Sequence, residues 1–161
     1  MSKDFENQSF DPKRDLTISR LIKAPRSVVW SAWTDPAKFA QWWLPEPAKC
    51  RVLAMEVRPG GAMVTEMSED GGAFVPHMNA CFLAVDEGKR IVFTNALEGG
   101  WRPAEQAFMT AVITLADNDQ GTDYVARVMH KSSADRDMHE EMGFHDGWGT
   151  VIGQLARLVE Q

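Results

Sequence analysis

The stretch from Ser133 to Gln161 constrains this chain more than any other, because its apolar residues recur with the period of an α-helix. At 100° per residue with Trp148 as origin, Phe144, Val151, Ile152, Leu155, Leu158 and Val159 fall within roughly 80° of it. Asp146, Thr150, Gln154, Arg157 and Glu160 fall on the other side. The pattern predicts a single long amphipathic helix ending the chain, buried on its front and solvated on its back. An apolar face that wide needs a large apolar partner.

The rest of the sequence supplies that partner as strands. Residues 1–14 are polar and without periodicity, so they read as a flexible arm ahead of a single domain at 15–161. Leu16, Ile18 and Ile22 share one parity, which predicts a strand that stops at Ala24-Pro25. Pro25 suits the first turn of a short helix whose buried stripe is Val29 and Trp33. Asp35 is expected to cap a second helix with Pro36 in its first position, burying Phe39 with Trp42 or Trp43 and ending before Pro45 and Pro47. Beyond Cys50, turn chemistry at Pro59-Gly60-Gly61, Asp70-Gly71-Gly72, Asp86-Glu87-Gly88 and Asp117 to Gly121 bounds strands near 50–58, 62–69, 76–86, 90–97, 107–116 and 122–131. With the first strand these make seven, and short turns make neighbours antiparallel. Helices and strands are segregated along the chain. The class is therefore α+β, with the terminal helix laid over the concave face of a curved antiparallel sheet.

Composition sets limits on function. At 161 residues, 44% hydrophobic and 25% charged, the chain reads as one globular domain that can bury about 70% of its unfolded surface. A net charge of -6 disfavours nucleic acid or an anionic membrane as partner. No apolar run reaches the length of a membrane span and residues 1–15 lack an apolar signal core, so a cytoplasmic location is expected. Cys50 and Cys81 read as reduced, buried thiols. The chain contains no dinucleotide fingerprint, P-loop, nucleophile elbow or His-Glu-x-x-His, and neither a cofactor nor a metal is expected.

Five motifs in order carry a resemblance: Ala24-Pro25 with Val29-Trp30; Ala32-Trp33-Thr34-Asp35-Pro36; Trp42-Trp43; Arg58-Pro59-Gly60-Gly61; and Gly147-Trp148 with Leu155 and Leu158. Over residues 16–160 the chain resembles the bacterial family homologous to the activator of heat-shock-protein-90 ATPase, within the START-like (SRPBCC) helix-grip superfamily. The resemblance implies a Bet v-like helix-grip fold: a seven-stranded sheet, two short helices and a long C-terminal helix. It implies no single activity, since members of the superfamily look like carriers, sensors and occasional enzymes. Chaperone binding does not follow from the family's name. Val75-Pro76-His77-Met78-Asn79 departs from the small-residue turn common in the family.

Three functional readings follow. The first is a carrier or sensor that binds a small hydrophobic or aromatic molecule between the terminal helix and the sheet, with Trp148, Phe144, Ile152, Trp42, Trp43, Trp101 and Met109 as candidate contacts. Gly147 and Gly149 edge the apolar face, where missing side chains leave room either for tight packing or for a ligand beside Trp148. Glu98 to Pro103 is long and glycine-rich enough for a lid over such a site. The second is a polyketide cyclase or hydrolase-like enzyme using Glu141, His145 or His77 as acid and base; on a continuous helix Glu141 and His145 would enter the apolar face near its start. The third is a chaperone-related or homodimeric interaction module with Trp42 and Trp43 exposed as the contact. His139 and His145 stand some 120° apart, and His77, His130, Cys50 and Cys81 lack ligand spacing, which disfavours metal binding.

Overall fold

The computed structural model describes residues 10–161. Of the expected arm, residues 1–9 lie outside the described residues. Residues 10–14 lead into the first strand through a turn in which the Asp11 N–H donates to Asp15 Oδ2 at 2.9 Å.

Seven strands form one sheet: β1 (Asp15–Ile22), β2 (Lys49–Met55), β3 (Ala62–Ser68), β4 (Val75–Asp86), β5 (Arg90–Thr94), β8 (Met109–Asn118) and β9 (Gly121–His130). Their spatial order is β1-β9-β8-β5-β4-β3-β2 and every neighbouring pair is antiparallel. Register shifts interrupt the β2/β3, β3/β4 and β4/β5 pairings in turn. Such bulges bend strands and increase twist, which curls this half of the sheet into a grip. Residues facing one another across the pairs build rows on the concave side. One row runs Leu16, Val128, Ala111, Phe93, Phe82 across five strands, and all five are buried.

Two short helices follow β1: α1 (Arg26–Thr34) and α2 (Pro36–Phe39). Pro25 stands as N-cap just before α1. Asp35 caps α2 as its sequence predicts, accepting from the Ala37 N–H at 2.9 Å, with Pro36 next. This pair delivers the aromatic hub of the core. Trp33 packs within 6 Å of Phe39, Trp42, Trp43 and Phe93, and its indole N–H donates to the buried Tyr124 hydroxyl at 2.9 Å. Trp42 and Trp43 are therefore core residues, 1% and 7% exposed. The interaction surface they were expected to present does not exist, because Phe39 and Trp33 cover them.

The terminal stretch is two helices, not one: α3 (Ser133–Glu141) and α4 (Phe144–Val159). Gly143 separates them with φ 96°, a left-handed conformation that costs other residues about 1 kcal/mol. The apolar periodicity survives only in α4, which buries Phe144, Val151, Ile152, Leu155 and Ala156. No residue of α3 is buried.

Gln154 also departs from its wheel position. It is 7% exposed, because the segment after α2 folds over what would be the solvated flank of α4. Its amide donates to the carbonyls of Trp42 at 3.0 Å and Leu44 at 2.8 Å, and its oxygen accepts from the Glu46 N–H at 2.8 Å.

Residues 97–103 form a small hairpin, β6 (Leu97–Glu98) and β7 (Arg102–Pro103). Trp101 at its tip is exposed and lies against Gly60, where a Cβ would come within 2.5 Å of the indole nitrogen. Cys81 is buried and Cys50 half-buried, both as free thiols, and burial pushes the Cys50 thiol up to about 11. No described helix is long and apolar enough to cross a membrane.

Gln154→Leu removes the donors to the buried carbonyls of Trp42 and Leu44 and the acceptor of the Glu46 N–H, so unfolding in urea is expected to show a loss of about 2–4 kcal/mol. Arg157→Ala, which breaks only the exposed ion pair with Glu46, should stay within about 0.5 kcal/mol of the parent in the same measurement.

Candidate functional site

A cleft of ≈ 230 Å³ opens between α4 and the sheet beside Trp148. Its helical wall is Gly147, Trp148 and Val151, its second wall is the Trp43-Leu44-Pro45 segment, and its floor includes Met78 and Met109. The Gln154 hydrogen bonds hold the first two walls together. Gly147 lines the cleft and faces open space: a Cβ built there meets nothing within 4 Å. At Gly149 a Cβ would touch Ile18 Cδ1 at 3.5 Å, ordinary packing. The two glycines divide the roles that their positions suggest, one beside a void and one against the sheet.

Two imidazoles supply the polar lining, His77 and His139. His77 reaches the cleft through a bulge. Thr65 pairs with Met78 and Glu66 with Pro76, so His77 is the extra residue on β4, and both His77 and Met78 line the cleft where strict alternation would send one to each face. Its Nδ1 lies 3.0 Å from the buried Thr65 hydroxyl, which fixes the ring. Loss of hydration holds His77 below the ordinary imidazole range.

His139 arrives by the break at Gly143. On a continuous helix it would stand about 180° from Trp148, nine residues away; the left-handed turn reorients α3 and brings both residues to one cleft. Ser132 starts α3 by accepting from the Asp135 N–H at 3.2 Å. The His139 ring packs against Phe108 and Phe144, with centroids 5.0 Å and 5.1 Å away. Its Nδ1 lies 2.9 Å from Nε2 of His130, whose own Nδ1 lies 2.8 Å from the Arg14 carbonyl oxygen. Desolvation first, then the repulsion that His130 would exert if both rings were protonated, depress His139 to about 4. The cleft thus presents neutral imidazole near neutral pH. The buried indole nitrogen of Trp43 has no hydrogen-bond partner among the described residues.

The structure brings together Trp148, Trp43 and Met109 at the cleft, along with His77. Phe144 and Ile152 lie behind it in the core, Phe144 packing on Trp148 at 5.3 Å. Trp42 belongs to the hub, its indole N–H donating to the Ala32 carbonyl at 2.9 Å. Trp101 lies elsewhere, at the 97–103 hairpin. Glu141 and His145 are exposed at the break and do not enter the apolar face; His145 Nε2 stands 3.7 Å from Glu140 Oε2 instead. Their wheel positions assume helical continuity, which Gly143 interrupts. Sequence reasoning missed the His130–His139 pair. Half of it was readable, because Tyr124, Ala126, Val128 and His130 share one parity on β9 and His130 therefore ends a buried row.

The chain and its fold match known proteins. The model for the Activator of Hsp90 ATPase homolog 1-like protein family matches residues 23–160. A crystal structure of a protein from Nitrosomonas europaea is similar at 42% identity and TM-score 0.85, covering 94% of this chain and 97% of the other. One from Chromobacterium violaceum is similar at 27% identity and TM-score 0.73, covering 91% and 98%. The AHSA1-like protein from Aeromonas hydrophila shares the fold at 18% identity and TM-score 0.65, covering 91% and 92%. No curated protein matches the chain.

Two measurements check the site's physical description. Because the folded chain resists protonating His139 while the unfolded chain takes a proton near 6.5, stability should be full above that pH and decline as pH falls toward about 4. His77 acts in the same direction. The unfolding midpoint of His139→Phe should fall less steeply over this window than that of the parent; equal slopes would rule out the depressed ring. Gly147→Ala should raise stability by about 1 kcal/mol, since it gains helix propensity and meets no neighbour.

Proposed function

We propose that this chain, which belongs to the family of Activator of Hsp90 ATPase homolog 1-like proteins, binds a small aromatic molecule in the cleft beside Trp148. The observation that carries the reading is the void at Gly147. A helix interior that forgoes about 1 kcal/mol by using glycine, and leaves the resulting space unfilled among aromatic and thioether side chains, is built around something that enters. Trp148 and Trp43 offer ring faces and edges, and Met78 and Met109 adapt to a ligand's outline. Burying about 200 Å² of apolar ligand surface would contribute roughly 5 kcal/mol before the cost of immobilisation. Size sets the scale of the ligand. A dry cavity of about 150 Å³ suffices for benzene, so the larger cleft here suits one or two rings.

The acid-base reading moves with the histidines. Glu141 and His145 lie outside the cleft, while His77 and His139 line it. An imidazole that is neutral and fixed can orient a ligand as readily as it can accept a proton. Binding is the reading that needs no reacting group beyond these rings.

Titration with naphthalene-sized aromatic probes, followed by tryptophan emission, should give saturable quenching from Trp43 and Trp148. Gly147→Leu places a side chain in the void and should abolish the signal while the far-ultraviolet circular dichroism stays unchanged. Probe binding that is equal in Gly147→Leu and in the parent would place the site elsewhere and sink the proposal.

A further inference from the structure

We infer that the cleft selects a ligand that donates a hydrogen bond, an aromatic hydroxyl, to Nε2 of His139. This inference rests on the cleft being a binding site and concerns which ligand it takes. It follows from a chain of hydrogen bonds whose polarity is set at one end.

The Arg14 carbonyl can only accept. It receives the backbone N–H of His130 at 3.1 Å, part of the meeting of β1 and β9, and it lies 2.8 Å from His130 Nδ1. His130 Nδ1 must therefore carry hydrogen. In a neutral ring Nε2 is then a bare acceptor, and the atom 2.9 Å from it, His139 Nδ1, must be the donor. That step spends the only hydrogen a neutral His139 possesses. Its Nε2 is left with a lone pair and has no hydrogen-bond partner among the described residues. Packing against Phe108 and Phe144 keeps the ring from turning over to present its other nitrogen. The cleft His139 lines is thus offered an acceptor whose identity is dictated by a backbone carbonyl two rings away.

This polarity discriminates between aromatic ligands of the same shape. A phenol or naphthol hydroxyl satisfies the lone pair. A methyl in that place desolvates an acceptor and gives nothing back, and a methoxy oxygen sets lone pair against lone pair. A site built to accept from a hydroxyl therefore rejects analogues that lack one more strongly than area alone predicts.

The test compares 2-naphthol, 2-methylnaphthalene and 2-methoxynaphthalene on the full chain by calorimetry. The parent should bind naphthol roughly tenfold more tightly than either analogue. In His139→Phe the ratio of naphthol to methylnaphthalene affinity should fall to about one. Nitrogen-15 NMR of the histidine side chains should independently show His139 protonated on Nδ1 and bare on Nε2. Equal affinities for the three probes in the parent, or a His139 carrying hydrogen on Nε2, would overturn the inference and leave cleft binding standing. Failure of all three probes to bind would overturn the cleft reading and this inference with it.

Discussion

The amide of Gln154 holds the site together. One side chain on α4 satisfies two carbonyls and one N–H of the segment from Trp42 to Glu46, and so fixes how far that segment stands from the helix. Because the segment has no regular structure, the carbonyls of Trp42 and Leu44 would otherwise be buried without partners, at about 1–3 kcal/mol each. The distance Gln154 imposes is the width of the cleft. Trp43, Leu44 and Pro45 hang from one side of this link and Gly147, Trp148 and Val151 from the other.

Behind the link stands the aromatic hub. Trp33, Phe39, Trp42 and Trp43 pack mainly edge to face, and the Trp33–Tyr124 hydrogen bond ties them to β9. Rigid rings on a rigid sheet give the apolar half of the cleft a fixed shape. The polar half is fixed differently, by a bulge that brings the exposed His77 to the cleft and by a hydrogen-bond chain that starts at the Arg14 carbonyl. Shape and polarity are thus set by separate parts of the fold.

The fold was legible because its signals are local. Strand parity, the Asp35-Pro36 cap and the glycine turns each report on a few neighbouring residues, and together they specify the sheet and the helices around it. The cleft was legible where it depends on the apolar face of α4, which gave Trp148 and Gly147, and in Trp43 and Met109 opposite that face. The rest depends on departures from periodicity. Gly143 breaks the helix, so His139 moves to the cleft while Glu141 and His145 stay in solvent. An extra residue in β4 redirects His77. The segment after α2 buries Gln154 on a flank that periodicity alone assigns to water. Glycine in a helical pattern signals a possible break without saying which of several glycines adopts it, and here one of four does.

The absence of buried residues in α3 carries a consequence for how such a site can diversify. The ring of His139 reaches Phe144 and His130 from a helix that otherwise holds to its own cap and to local pairs, Lys131 with Asp135 and Arg136 with Glu140. Exchanging residues on that helix touches little of the core, whereas changes to Trp43 or Val151 disturb the packing that keeps the protein folded. Selection can therefore rewrite what the cleft recognises on one side while the other side preserves the fold.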